Sequence, residues 1–324
     1  MDSIQCLSLP KVKTDAGKVL AKLDLYYQHF GQPLDQAPVV LINHSLTGDA
    51  QVAGHKGWWK ELVGPNKTID TNKYAVLAFN IPGNGVQGQT FSDPKPFHTG
   101  DIALFFLKGL ELLGVNKLYA LVGGSIGGGI AWEMAVLAPQ LAQYIIPVAA
   151  DWKANDWILA NTFLQQRILE NSKNPLEDAR IHAMLTYRTP QSFSERFDRT
   201  LNEELGIYNI QSWLFHHGKK LADRFEFEAY VLVNHLLASI NIERKGEKAL
   251  ALIKKIEGEI HLIAVDSDLF FTPVEDQKTY AMIKPEKASI FYHELQSIHG
   301  HDAFLIENEA MIEILNPIFN PKTP

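Results

Sequence analysis

LYALVGGSIGG, residues 118–128, runs from an apolar segment through a serine set between paired glycines into a helical one. Leu118–Val122 is a near-continuous apolar run, the pattern of a strand covered on both faces. Ile126–Leu137 carries a helical pattern. A Gly-x-Ser-x-Gly turn between strand and helix is tight and strained, and small flanking residues are needed for the two elements to approach. Ser125 then stands at the sheet's edge, above a helix N-terminus. Unpaired N–H groups and the positive end of the helix dipole favour a developing oxyanion there. The competing reading is a glycine-rich turn without chemistry, or a phosphate-cradling loop; the strand-to-helix context favours a nucleophile.

Working outward, similar apolar runs recur at Val39–Asn43, Tyr74–Asn80, Tyr144–Val148, Ile260–Val265 and Ala288–Glu294. Helical patterns lie between or after them, at Ile102–Leu113, Ile126–Leu137 and Asp302–Leu315. This alternation predicts a mostly parallel sheet with helices on both sides, and the first strands, near Ile4–Leu9 and Leu23–His29, an antiparallel edge. From Asp151 to Gly258 the pattern is helical only. An insert of this kind predicts a lid over the strands' C-terminal edge, where ligands of open α/β sheets bind. The expected division is therefore a core of residues 1–150 and 259–324 with a lid of 151–258.

Composition excludes several classes. With 46% hydrophobic and 21% charged residues among 324, the chain can bury a sizeable core, which argues against disorder. Net charge is −7 and the 30 Lys and Arg are scattered, so no basic stripe marks a nucleic-acid binder. One cysteine, Cys6, rules out an internal disulfide framework and a Cys-rich metal site. No apolar run reaches membrane-spanning length, and the first residues lack the apolar centre of a signal peptide. A cytoplasmic setting is expected.

A serine needs a base, and the base needs an orienting carboxylate. In folds built on this elbow the chain order is Ser, then Asp or Glu, then His. Asp266 and Asp268 follow the run Ile260–Val265, and His299 and His301 follow the last strand. Each pair competes for one role on sequence alone. The oxyanion donors are expected at the backbone of Ile126 and in the loop NHSLTGD, residues 43–49.

NHSLTGD, GWWKELVGPNKTIDTNKY, GGSIGG, ARIHAMLTYR, SDLFF and GHDAFL follow one another in an order that resembles the homoserine O-acetyltransferases. These are α/β-hydrolase-fold enzymes of methionine biosynthesis that use acetyl-CoA. The resemblance implies an α/β-hydrolase fold with an inserted helical lid. It places the nucleophile on Ser125, the acid on Asp268, the base on His301 and the oxyanion donors on the Leu46 and Ile126 amides. It places substrate binding on Arg180, Tyr187 and Asp302. Arg180 and Tyr187 lie two helical turns apart on one face, so both can point into one pocket. A guanidinium fork suits the acceptor's carboxylate, and Asp302 can receive its ammonium. The bland alternatives pair Arg180 with Glu177 or Glu195 and make Asp302 a helix cap.

The resemblance also implies a homodimer joined through lid helices, small-molecule substrates L-homoserine and acetyl-CoA, and no metal or resident cofactor. Departures are Ile126 where the family usually has Met, a shorter loop after the fourth strand, a shorter early lid, and SDLFFTP without Pro directly after Leu-Phe. The alternatives kept open are a succinyl donor, a serine acceptor, and a plain hydrolase in which water accepts the acyl group.

Overall fold

The computed structural model describes residues 3–321; the outermost limits of the expected core, 1 and 324, lie outside them. Eight strands form one sheet: β1 (Gln5–Lys13), β2 (Val19–Gly31), β3 (Val39–Asn43), β4 (Ala75–Phe79), β5 (Leu118–Gly124), β6 (Ala142–Val148), β7 (Glu259–Val265) and β8 (Ile290–Leu295). Their spatial order is β1-β2-β4-β3-β5-β6-β7-β8. β1 pairs antiparallel with β2, and β2 antiparallel with β4; every later pairing is parallel. The apolar runs are buried on both faces because each face carries its own core. Leu41, Leu77 and Leu121 pack on one side, and Val40, Val76 and Val122 on the other.

Helices α1 (Thr99–Leu112) and α2 (Ile126–Leu137) pack against the sheet and each other. Between β6 and β7 the chain runs through α3 (Asp156–Asn171), α4 (Pro175–Tyr187), α5 (Pro190–Phe197), α6 (Asn209–Ala222), α7 (Phe227–Ala238) and α8 (Ala249–Lys254). Sequence signals set several of their starts. The Asn155 side chain accepts from the Ile158 amide at the head of α3, and Pro175 and Pro190 open α4 and α5. α9 (Pro273–Ile283) and α10 (Asn308–Phe319) follow β7 and β8.

Two expectations need correction. Residues 151–258 also contain a small hairpin, Leu201–Asn202 against Ile207–Tyr208, too short to show an alternating pattern. The expected helix Asp302–Leu315 is broken: a turn at Gly300–Asp302 and a short helix Ala303–Ile306 precede α10, with Glu307 (φ −83°, ψ 63°) between them. The non-helical backbone of Glu307 parts the two helices, and its carboxylate accepts the Ser297 hydroxyl at 2.7 Å.

Candidate active site

Loops leaving the C-terminal ends of β3, β5, β7 and β8 carry the residues that meet at the sheet's edge. Ser125 sits at φ 58°, ψ −127°, a strained backbone for a residue with a Cβ. The glycines around it make that turn possible. A Cβ on Gly123 would lie 2.1 Å from the Gly127 carbonyl oxygen, and one on Gly127 would lie 2.4 Å from that of Asn43. The elbow thus presses α2 against both β5 and the loop after β3.

The His301 ring joins the two other groups. Its Nε2 lies 2.9 Å from Ser125 Oγ and its Nδ1 2.7 Å from Asp268 Oδ2. With Nδ1–H donating to the carboxylate, Nε2 accepts the serine hydroxyl. Asp268 Oδ1 takes the amides of Phe270 and Phe271, at 2.7 and 3.0 Å. All three side chains are buried. Four aromatic rings surround the imidazole: Phe271 stacks on it at 5.6 Å, and Tyr187, Phe270 and Phe304 lie 5.3–5.6 Å away. The Phe residues of SDLFF and GHDAF therefore fix the ring and exclude water. Their motifs were the signal for them, although sequence reasoning gave them no role.

The other members of the two pairs lie elsewhere in the network. Asp266 is exposed and accepts the Ser297 amide. His299 Nδ1 lies 2.9 Å from Ser192 Oγ.

The loop after β3 is pinned from several sides. Burial holds His44 below its ordinary value, and the neutral ring donates from Nδ1 to the Ser45 carbonyl while Nε2 accepts the Ile81 amide. Asn43 donates to the Gly127 carbonyl, and Arg224, from the α6–α7 turn, donates to that of Thr47. Among the described residues the Leu46 and Ile126 amides donate to no protein acceptor. Leu46 and Ser125 line one cavity of about 60 Å³, with Ser45, Thr47, Arg180, Tyr187, His301, Asp302, Phe304 and Leu305.

Arg180 has no ion-pair partner within 4 Å among the described residues, so neither Glu177 nor Glu195 holds it. Its guanidinium lies 5.6 Å over the Tyr187 ring. Burial pushes the Tyr187 phenol well above its usual range. Asp302 provides no side-chain helix cap. It instead pairs with Arg188, Nε to Oδ2 at 3.0 Å, a partner the sequence reading missed although it directly follows Tyr187. Away from this cavity, Asp15, His98 and Asp101 gather as a metal site would. The Asp101 amide occupies His98 Nδ1, so the neutral ring presents Nε2–H, a donor, to the carboxylates.

The alpha/beta hydrolase fold family matches residues 38–203. A homoserine O-acetyltransferase of Nostoc punctiforme is 31% identical, over 93% of this chain and 91% of that protein. One from Carboxydothermus hydrogenoformans is 28% identical, over 96% and 93%. The crystal structure of a homoserine O-acetyltransferase from Staphylococcus aureus superposes with a TM-score of 0.81 at 25% identity, covering 99% of this chain and 96% of that one.

Proposed function

The chain belongs to the homoserine O-acetyltransferase family of the α/β-hydrolase fold, and from that premise we propose that it transfers acetyl from acetyl-CoA to the hydroxyl of L-homoserine. One observation carries the reading: the hydrogen-bonded Ser125–His301–Asp268 series opens into a cavity flanked by the cation Arg180 and the anion Asp302. An ester hydrolase has no need of that charge pair, whereas an α-amino acid acceptor presents its complement.

Ser125 Oγ passes its proton to His301 Nε2 and attacks the thioester carbonyl carbon. The amides of Leu46 and Ile126 hold the resulting oxyanion. The tetrahedral species collapses, the C–S bond breaks, and the thiol leaves with the proton from His301. Homoserine then enters, with its carboxylate on Arg180 beside Tyr187 and its ammonium on Asp302. His301 takes the hydroxyl proton, the oxygen attacks the acyl carbon, the bond from that carbon to Ser125 Oγ breaks, and His301 returns the proton to Ser125 Oγ. The chemistry is ping-pong and calls on no metal or resident cofactor.

Two coarser points complete the reading. Among the described residues no helix is long and apolar enough to cross a membrane, and we place the enzyme in the cytoplasm with its soluble substrates. We also propose a homodimer through the lid, supported by exposed apolar side chains on α3 and α6: Leu159, Phe163 and Phe215.

The test follows thiol release from acetyl-CoA with homoserine, serine or no acceptor. A stoichiometric burst without acceptor and sustained release with homoserine are expected. Ser125→Ala should fold yet give neither, and mass spectrometry should find the added acetyl on the wild-type peptide containing Ser125. An acetyl group elsewhere, or sustained release without any acceptor, would overturn the assignment.

A further inference from the structure

The cavity is lined by two side chains of opposite charge. Arg180 and Asp302 both line it, and attraction between them would draw the two side chains together across a space of about 60 Å³. They form no ion pair within 4 Å. Asp302 is instead held from behind by Arg188, which does not line the cavity.

The backbone explains how one helix supplies both cations in different directions. α4 ends at Tyr187, and Arg188 turns extended (φ −121°, ψ 153°). Thr189 precedes Pro190, which also disfavours further helix. Arg180 and Tyr187 stay on the face toward the nucleophile, while Arg188 leaves it and reaches the loop after β8. The guanidinium is itself anchored: its Nη1 lies 3.4 Å from His299 Nδ1, which also lies 2.9 Å from Ser192 Oγ. Thr189 Oγ1 donates to the Ile298 carbonyl beside it. Gly300 fits so closely under the end of α4 that a Cβ there would stand 3.0 Å from the Tyr187 carbonyl oxygen. The seam between α4 and the loop bearing His301 is therefore rigid at the point where Arg188 grips Asp302.

The grip engages one oxygen. Oδ2 takes Arg188 Nε at 3.0 Å, and the Arg188 and Asp302 side chains are only 15% and 17% exposed. Oδ1 accepts nothing from the protein among the described residues. A charge-assisted bond in so little water is strong enough to fix a carboxylate's orientation.

We propose that Arg188 is a positioning residue that holds Asp302 away from Arg180, keeping separate cation and anion subsites open for a zwitterionic acceptor. The proposal rests on the acceptor reading given above. Without Arg188, Asp302 swings toward Arg180 and the two subsites neutralise each other before the amino acid arrives. The acyl-enzyme half-reaction uses neither subsite and is untouched.

The experiment compares wild type, Arg188→Met, Asp302→Asn and the double variant, following the thiol burst with acetyl-CoA alone and then turnover against homoserine concentration. Arg188→Met should keep the burst, raise the homoserine KM about 10- to 100-fold and leave kcat within about threefold, the effect of losing one charge-assisted contact. With Asp302 already changed to Asn, removing Arg188 should add little further to KM. A γ-hydroxy acid lacking the amino group still needs a free Arg180 for its carboxylate, so it should be used less well by Arg188→Met than by wild type, and equally by Asp302→Asn and the double variant. Arg188→Lys, which keeps the charge without the Nε donor, should fall between, and it carries the test should Arg188→Met not fold. Equal loss of burst and transfer, or multiplying penalties in the double variant, would overturn the positioning role. If wild type gives the burst but no homoserine-dependent turnover, the acceptor reading fails first and this inference falls with it.

Discussion

Asp266 and Asp268 are two residues apart on one loop, and their surroundings separate them. Asp268 is buried with three donors on its oxygens, whereas exposed Asp266 accepts the Ser297 amide. Asp268→Asn should lower turnover by roughly 10⁴-fold, because the orienting carboxylate and the imidazole tautomer it selects are lost together. Asp266→Asn should cost only a few-fold. Steady-state kinetics on the two variants checks this, and reversed penalties would move the acid to Asp266. Arg180→Ala tests the opposite wall of the cavity. It should leave the thiol burst intact and raise the homoserine KM about 10- to 150-fold, for a lost bidentate contact of roughly 1.5–3 kcal/mol. Damage to the burst as large as that to transfer would assign Arg180 to the acyl donor instead.

Among the elements, the elbow is the most tightly constrained. Its strain at Ser125 persists because β5, α2 and the loop after β3 leave no room for another path. Gly127→Ala would drive a methyl group to 2.4 Å from the Asn43 carbonyl oxygen, which belongs to a central strand and cannot move cheaply. The expected cost is at least the 1–3 kcal/mol typical of overpacking, roughly, together with loss of acyl-enzyme formation as the loop carrying Leu46 shifts. Chemical denaturation and the thiol burst on the same sample read both effects. A variant of unchanged stability and burst would mean that α2 can back away. The turn's glycines and serine were legible because a steric requirement this local leaves a local signature. The break at Glu307 was not, because the helical pattern on either side is continuous and the Ser297 contact made there comes from another turn of the chain.

For the whole molecule, the buried carboxyl of Asp151, just past β6, links stability to pH. Burial first, and the nearby Glu275 second, push it up to about 8. At acid pH both folded and unfolded chains hold its proton. As pH rises above about 4 the unfolded chain releases it while the folded chain does not, so this group's stabilisation is lost progressively up to about pH 8. Asp151→Asn, neutral throughout, should raise Tm at pH 8 by several degrees, at roughly 2–4 °C per kcal/mol for chains of 150–250 residues, and change it little at pH 4. A lowered Tm at pH 8 would show that the folded chain carries this group charged. The lid's exposed apolar residues make a second prediction. Phe163 is 67% exposed on α3, one turn from Leu159, and Phe163→Glu should convert a dimer to a monomer in sedimentation at micromolar concentration. A wild-type monomer would refute the proposed association.

Patterns confined to a few neighbouring residues were determined by the sequence itself. Apolar runs gave the parallel sheet, the glycine-flanked serine gave the elbow, and the chain order Ser, Asp, His gave Ser125, one of Asp266 and Asp268, and one of His299 and His301 as the residues to test. Without the family resemblance, the choice between Asp266 and Asp268, and between His299 and His301, stayed open, because each pair sits two residues apart on a loop whose path the sequence does not encode locally. Tertiary structure brought His301 between Ser125 and Asp268 and turned His299 toward Ser192 and Arg188. It also paired Arg188 with Asp302, residues 114 positions apart. Such a contact depends on how α4 ends over the loop after β8, and periodicity along a chain carries no record of what another segment places opposite it.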